Sequence, residues 1–217
     1  MSCKDVIKEI SDVLLDKFKS NNFILKNNVF EKTISLQKKY QYIIDVKKCY
    51  SGYSLHLILK LVDKNISNNV NTLLKKTLLD KEMIYPKNWT QKDIDYSIKI
   101  RTKNNTILSL TDWRILKQEN EPLDEFVNNF SIWFCTFNNI EEKGDWENQL
   151  YKSFEYSKMW FKMADNEKYI IENTIYESLY LLKINNRMDY MDEKFQKYKE
   201  KSRDNNELKI FCKYLME

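Results

Sequence analysis

Two glycines, two prolines, one histidine and one alanine are all that this chain of 217 residues contains of those four types. Each scarcity excludes a chemistry. Gly52 and Gly144 cannot write a Walker loop or a dinucleotide-binding fingerprint, both of which need several glycines within a few residues. His56 alone cannot build a multi-histidine zinc centre, and any Ser-His-Asp or Cys-His arrangement would have to use it. The four cysteines, at 3, 49, 135 and 212, form no Cys-x-x-Cys pair, which fits a reduced, intracellular protein. The first twenty residues lack a continuous apolar stretch of the secretory kind, and no apolar run is long enough to span a bilayer. The expectation is therefore a cytoplasmic protein with no membrane partner and no cofactor.

What is present suffices for a core: 42% of residues are hydrophobic and 14% aromatic. Charge is distributed unevenly. Residues 1–117 hold 22 Lys/Arg against 12 Asp/Glu, a net +10, while residues 118–217 hold 14 against 20, a net −6. This asymmetry fits two differently charged solvated faces; its sharper reading is a basic docking surface in the first half, suited to an acidic protein partner or to nucleic acid.

Hydrophobic periodicity divides the chain in the same way. Val6, Ile10, Val13, Leu14 and Phe18 recur at helical spacing over residues 4–19. From Phe30 the period becomes two, with Phe30, Ile34 and Leu36 on one face and Lys38-Lys39 as a turn. Tyr40, Tyr42, Ile44 and Val46 form the next strand, and Tyr53 to Leu61 a third after a Ser51-Gly52 turn. The pattern predicts an antiparallel meander whose apolar face the first helix covers. Residues 67–79 return to helical spacing, with Ser67 as N-cap. Ile94, Tyr96, Ile98 and Ile100 alternate as a strand that turns at Asn104-Asn105 into residues 107–110, although Thr90 and Asp93 also spell a capping box for a short helix at 91–97. From Pro122 onward the chain reads as helix, first through an aromatic stripe at Phe126, Phe130, Phe134 and Phe137. Four further helices are expected near 145–164, 167–184, 187–202 and 205–216, the last capped by Asp204. The fold class is α+β, with residues 1–118 as helix plus antiparallel sheet and 119–217 all helical. The low Gly and Pro content offers no flexible linker, so the two parts are expected as one rigid body.

Two constellations bear on chemistry. Asp45-Val46-Lys47 matches the acid-x-Lys step of metal-dependent nucleases, with Glu31 on the preceding strand as a second ligand for Mg²⁺. The same residues also fit a solvated sheet face with a cross-strand ion pair, which acid-x-Lys spacing readily produces in so charged a chain. Lys38, Lys39, Lys47 and Lys48 gather at the ends of the meander strands and are the expected binding residues, with one pair at each end of the sheet. The basic half also carries Tyr40, Tyr42, Tyr50, Tyr53, Trp89 and Tyr96, which beside flanking lysines could stack single-stranded bases, although Tyr40, Tyr42 and Tyr53 lie on the face assigned to the core.

The stretch Asn22-Phe23-Ile24-Leu25-Lys26-Asn27-Asn28-Val29-Phe30 that leads into the meander resembles a pattern in uncharacterised bacterial helix–β-meander proteins, some of them grouped with immunity proteins of toxin systems. Phe23, Lys26, Asn28 and Phe30 carry the likeness, over residues 5–62, and Asn22 stands where that pattern has Gly. The resemblance carries over no catalytic residues. With one histidine, few glycines, no convergent catalytic set and charge segregated between the halves, the expected function is a non-enzymatic, immunity-like protein-binding role, with a nucleic-acid-binding module or a metal-dependent nuclease as the alternatives.

Overall fold

The computed structural model describes residues 2–117, 120–133, 136–201 and 206–217. It is an α+β protein: an N-terminal helix, a five-stranded antiparallel sheet of order β1-β2-β3-β4-β5, and a series of later helices. Contacts group the chain into two compact units, each made of two separate segments. The first comprises residues 1–62 and 109–165, the second 63–108 and 166–217, a division different from the expected 1–118 and 119–217.

The first unit begins with α1 (Cys3–Ser20), whose N-cap Ser2 and Asp5 form a reciprocal capping box. The helix stops at Asn21, and Asn22 follows at φ 64, a left-handed conformation that asparagine tolerates. β1 (Ile24–Lys26) and β2 (Val29–Thr33) form a hairpin around Asn27-Asn28, with Asn27 at φ 57. β3 (Lys38–Cys49) and β4 (Gly52–Asp63) complete the meander. The turn before β3 lies at Ser35–Gln37, not at Lys38-Lys39. The Ser35 hydroxyl accepts from the amides of Gln37 and Lys38 and pulls the turn forward. Ile34 and Leu36 consequently lie beyond the strand and are exposed, Leu36 at 94%, whereas Phe30 is buried as expected.

The covered sheet face meets α1 and α5 (Trp146–Ala164). Phe18 is the hub. Its ring stacks on Phe30 at 4.1 Å and meets Tyr42 and Phe154 edge-on, each at 4.8 Å. Full burial of one such ring is worth about 1.5–3 kcal/mol. The Tyr42 hydroxyl is satisfied inside this core by Ser153 Oγ at 2.6 Å.

The aromatic stripe after Pro122 is not one long helix. α4 (Leu123–Asn129) ends at Phe130, and short 3₁₀ turns follow at Ser131–Trp133 and Ile140–Glu142. Gln149 Oε1 accepts the Ile132 amide at 3.0 Å, and Phe137 exchanges both backbone hydrogen bonds with Tyr53. These long-range partners replace the i to i−4 ladder. Phe134 of the stripe lies outside the described residues.

The second unit contains α2 (Lys64–Leu79), α3 (Gln91–Arg101), α6 (Glu167–Asn173), α7 (Tyr176–Ile184), α8 (Met188–Lys201) and α9 (Asn206–Met216). α2 is capped by Asp63, four residues before the expected cap Ser67, which is buried within the helix. The stretch expected as a strand over 94–100 is α3, because the Thr90–Asp93 capping box forms. β5 (Thr106–Leu110) follows, with residues 106–108 counted in this unit and 109–110 in the first. The helix expected at 167–184 is broken at Thr174, which is extended (φ −124, ψ 165) and donates its hydroxyl to the Ile170 carbonyl. The expected cap Asp204 lies outside the described residues. Val70, Leu74, Leu78, Leu179, Leu182 and Phe211 make the centre of this unit's core.

Candidate functional site: the uncovered sheet face and its hairpin tip

Alternation along the strands leaves the second sheet face with Ile24, Lys26, Val29, Glu31, Gln41 and Ile43, in the register Ile24↔Glu31↔Gln41 and Lys26↔Val29↔Ile43. Glu31 is the electrostatic centre. Its carboxylate accepts from Lys39 at 2.8 Å, Gln41 at 3.0 Å and Lys26 at 3.0 Å. Burial alone would raise its pKa, but these donors outweigh it and hold the carboxyl at about 2.

The two proposed metal ligands do not converge. Glu31 pairs with Gln41, so Asp45 lies four residues further along the neighbouring strand, roughly 13 Å away. Asp45 instead contacts Lys47 at 3.3 Å, as an ion pair within one strand. Two carboxylates so placed cannot share one Mg²⁺, whose oxygen ligands sit at about 2.0–2.1 Å. Among the described residues no group of three or more His, Cys, Asp or Glu gathers around a common point.

His56 is exposed on the same face of β4 and opens onto a cleft of ≈ 340 Å³ with Asp112, Arg114, Trp113 and Trp133. Trp113 donates its indole N–H to the Leu57 carbonyl at 2.7 Å and stacks on Trp133 with ring centroids 5.0 Å apart. His56 Nε2 lies 3.3 Å from Ser54 Oγ, which in turn is 3.4 Å from Cys49 Sγ. That chain lacks the acid that would orient the imidazole, since Asp112 binds Arg114 through both carboxylate oxygens.

The four expected binding lysines divide into two kinds. Lys38 forms an ion pair with Asp165, and Lys39 is one of the donors to Glu31. Both are committed within the unit. Lys47 and Lys48 end β3, and with Cys49, Tyr50 and Ser51 they form a continuous exposed tip. Tyr50, at the two-residue turn, is fully exposed at 110%. The sequence marked the lysines, and Tyr50 only as one of several aromatics of the basic half, because a tyrosine beside a turn carries no periodic signal that sets it apart.

The tip is braced. Gly52 opens β4 at φ +123, and a Cβ there would lie 2.4 Å from the Phe137 carbonyl oxygen. Tyr53 and Phe137 exchange backbone hydrogen bonds of 2.7 and 3.0 Å, and Ser51 Oγ meets Thr136 Oγ1 at 3.0 Å. The hairpin end is therefore clamped to the segment after Thr136. Tyr42 and Tyr53 are buried and Tyr40 stacks on Phe161 at 4.6 Å, so these rings belong to the covered face, as their alternation implied.

The charge split along the chain does not survive folding. The first unit holds 17 Lys/Arg and 17 Asp/Glu, and the second 19 and 15. Within the first unit the +5 of residues 1–62 is balanced by the −5 of residues 109–165. The fold and site define an α+β protein with a helix-backed meander and a braced, basic hairpin tip. No family model, curated protein or solved structure matches the chain. Among the described residues no helix is long and apolar enough to cross a membrane.

Proposed function

We propose that the protein is a non-enzymatic binding protein of the cytoplasm that captures an acidic protein partner through the β3–β4 hairpin tip, in the manner of an immunity protein. The observation that carries this reading is Tyr50, fully exposed on a braced turn just after Lys47 and Lys48. A rigid tyrosine offers a large contact area at low entropic cost, and tyrosine is enriched among residues that dominate binding energy. The lysines add attraction for carboxylates during the encounter. The resemblance of residues 5–62 to uncharacterised helix–β-meander proteins, some of them grouped with immunity proteins, points the same way.

Site-specific photocrosslinking tests it. A benzophenone side chain at position 50, expressed in the native host, should yield one acidic protein adduct, and the double reversal Lys47→Glu, Lys48→Glu should remove it. The same probe at Tyr96, exposed on α3, is the comparison. Identical adducts from both positions, or adducts with nucleic acid at position 50, would overturn the proposal.

A further inference from the structure

We infer that the second unit carries a ligand site for a phosphomonoester on an apolar or aromatic body, in the pocket between α6, α7 and α8. The pocket has a volume of ≈ 340 Å³, within the range of about 300–1,000 Å³ typical of small-ligand sites. Its floor is apolar: Leu182 of α7 is buried and Ile171 of α6 packs against the same core. Its rim is cationic, with Lys168 on α6, Arg187 at the corner before α8, and Lys194 and Lys197 on α8. Glu172 and Glu193 face the same space, so the lining is net +2 at neutral pH.

Arg187 is the distinguishing residue. Arg101 and Arg114 each grip a carboxylate with two nitrogens, at Glu207 and Asp112. Among the described residues Arg187 has no such partner. Its guanidinium lies over the Tyr190 ring, 4.5 Å from the centroid, which leaves its in-plane donors directed away from the ring face. The backbone holds it in place. Asn186 is left-handed at φ 54, and the Arg187 amide donates to the Leu182 carbonyl at 2.9 Å, which closes the end of α7. The Arg187 carbonyl then accepts from Met191 and starts α8. Lys194 is drawn over the same edge by its bond to the Glu172 carbonyl.

A free planar donor set, further cations and an apolar floor specify a ligand with a compact anion at one end and a flat body at the other. A phosphomonoester carries about −1.5 to −2 charges at neutral pH, which matches the lining. The ester can come from a free small molecule or from a phosphotyrosine side chain, and the chemistry at the pocket is shared.

Phenyl phosphate is the probe, read by methyl NMR of Ile171 and Leu182. The proposal expects a saturable shift at both methyl-bearing residues, weakened about tenfold by Arg187→Gln and unchanged by Lys103→Gln outside the pocket. Arg187 is exposed and its capping contacts are made by the backbone, so the variant keeps the fold. An unsaturated or absent shift overturns the site. So does equal binding by the arginine variant, or equal binding of phenol, which lacks the anion. Inorganic phosphate binding as tightly as phenyl phosphate would overturn the role of the apolar floor. Comparing free phosphotyrosine with a phosphotyrosine peptide then assigns the source, and tighter binding of either one upholds the site.

Discussion

Gly52 and Phe137 are in backbone contact that admits no side chain. A Cβ at position 52 would sit 2.4 Å from the Phe137 carbonyl oxygen, and φ +123 is a conformation that L-residues rarely adopt. Gly52→Ala should therefore destabilise the first unit by about 1–3 kcal/mol and loosen the hairpin tip. Urea unfolding would read the first effect, and amide exchange at Tyr53 the second. An alanine variant with unaltered exchange at Tyr53 would show that the clamp yields without cost.

Glu31 should make stability depend on acid. Its folded pKa of about 2 lies below the ordinary 4.5, so its contribution is fully present above 4.5 and is lost as pH falls from there towards 2. The loss should be on the order of 3 kcal/mol at most. Glu31→Gln should flatten that portion of the profile and lower stability at neutral pH. Chemical denaturation across the window measures both, and an unchanged slope in the variant would mean other carboxylates produce it.

On the second unit, Arg101 binds Glu207 through two nitrogens, and Tyr176 donates its hydroxyl to the same carboxylate. Burial would raise the Glu207 pKa, but these donors outweigh it and hold the carboxyl below its ordinary range. Arg101→Ala should cost about 2 kcal/mol, less than the ~3–5 kcal/mol of breaking a fully buried pair, because both side chains keep some contact with water. Tyr176→Phe should cost about 1 kcal/mol. Thermal melts of the two variants should rank in that order; the reverse order would mean that the tyrosine, and not the ion pair, ties α9 to the unit.

Phe211 and Phe195 sit on similar helical stripes but differ in burial. Phe211 is fully buried against Tyr176, with ring centroids 4.7 Å apart, whereas Phe195 is only partly buried at the edge of the core. Phe211→Ala should cost about 3–5 kcal/mol and Phe195→Ala clearly less. Equal losses would show that α8 is packed more deeply than its exposure indicates.

These residues also show how far the chain could be read in advance. The meander and α1 were legible because Phe30, Tyr42, Ile44 and Leu55 alternate and Val6 to Phe18 do not, and local period decides such elements. Alternation misled at Ile94 to Ile100: only Ile98 is buried, and the capping box at Thr90 set a helix that a period of two had hidden. The break after Phe130 depends on Gln149 and Tyr53, and the Thr174 carbonyl at the split accepts from the Tyr198 hydroxyl, partners that no local window contains. The lysines at the strand ends were visible as charge, but that Glu31 and Asp165 engage Lys39 and Lys38 depends on where those acids arrive in space, whereas Lys47 pairs locally with Asp45. Tyr50 stood among several aromatics of the basic half, and its exposure is what sets it apart.

The two-segment construction of each unit sets an order of events during synthesis. Phe18, Phe30 and Tyr42 are made early, yet the ring that closes over Phe18 is Phe154. A ribosome must deliver more than a hundred further residues, including α2 and α3, before that aromatic cluster can be sealed. The nascent sheet thus waits with its greasy face open, and a stop anywhere between α1 and α5 would release a chain with neither unit complete. Such fragments should be bound by chaperones rather than accumulate as half-proteins.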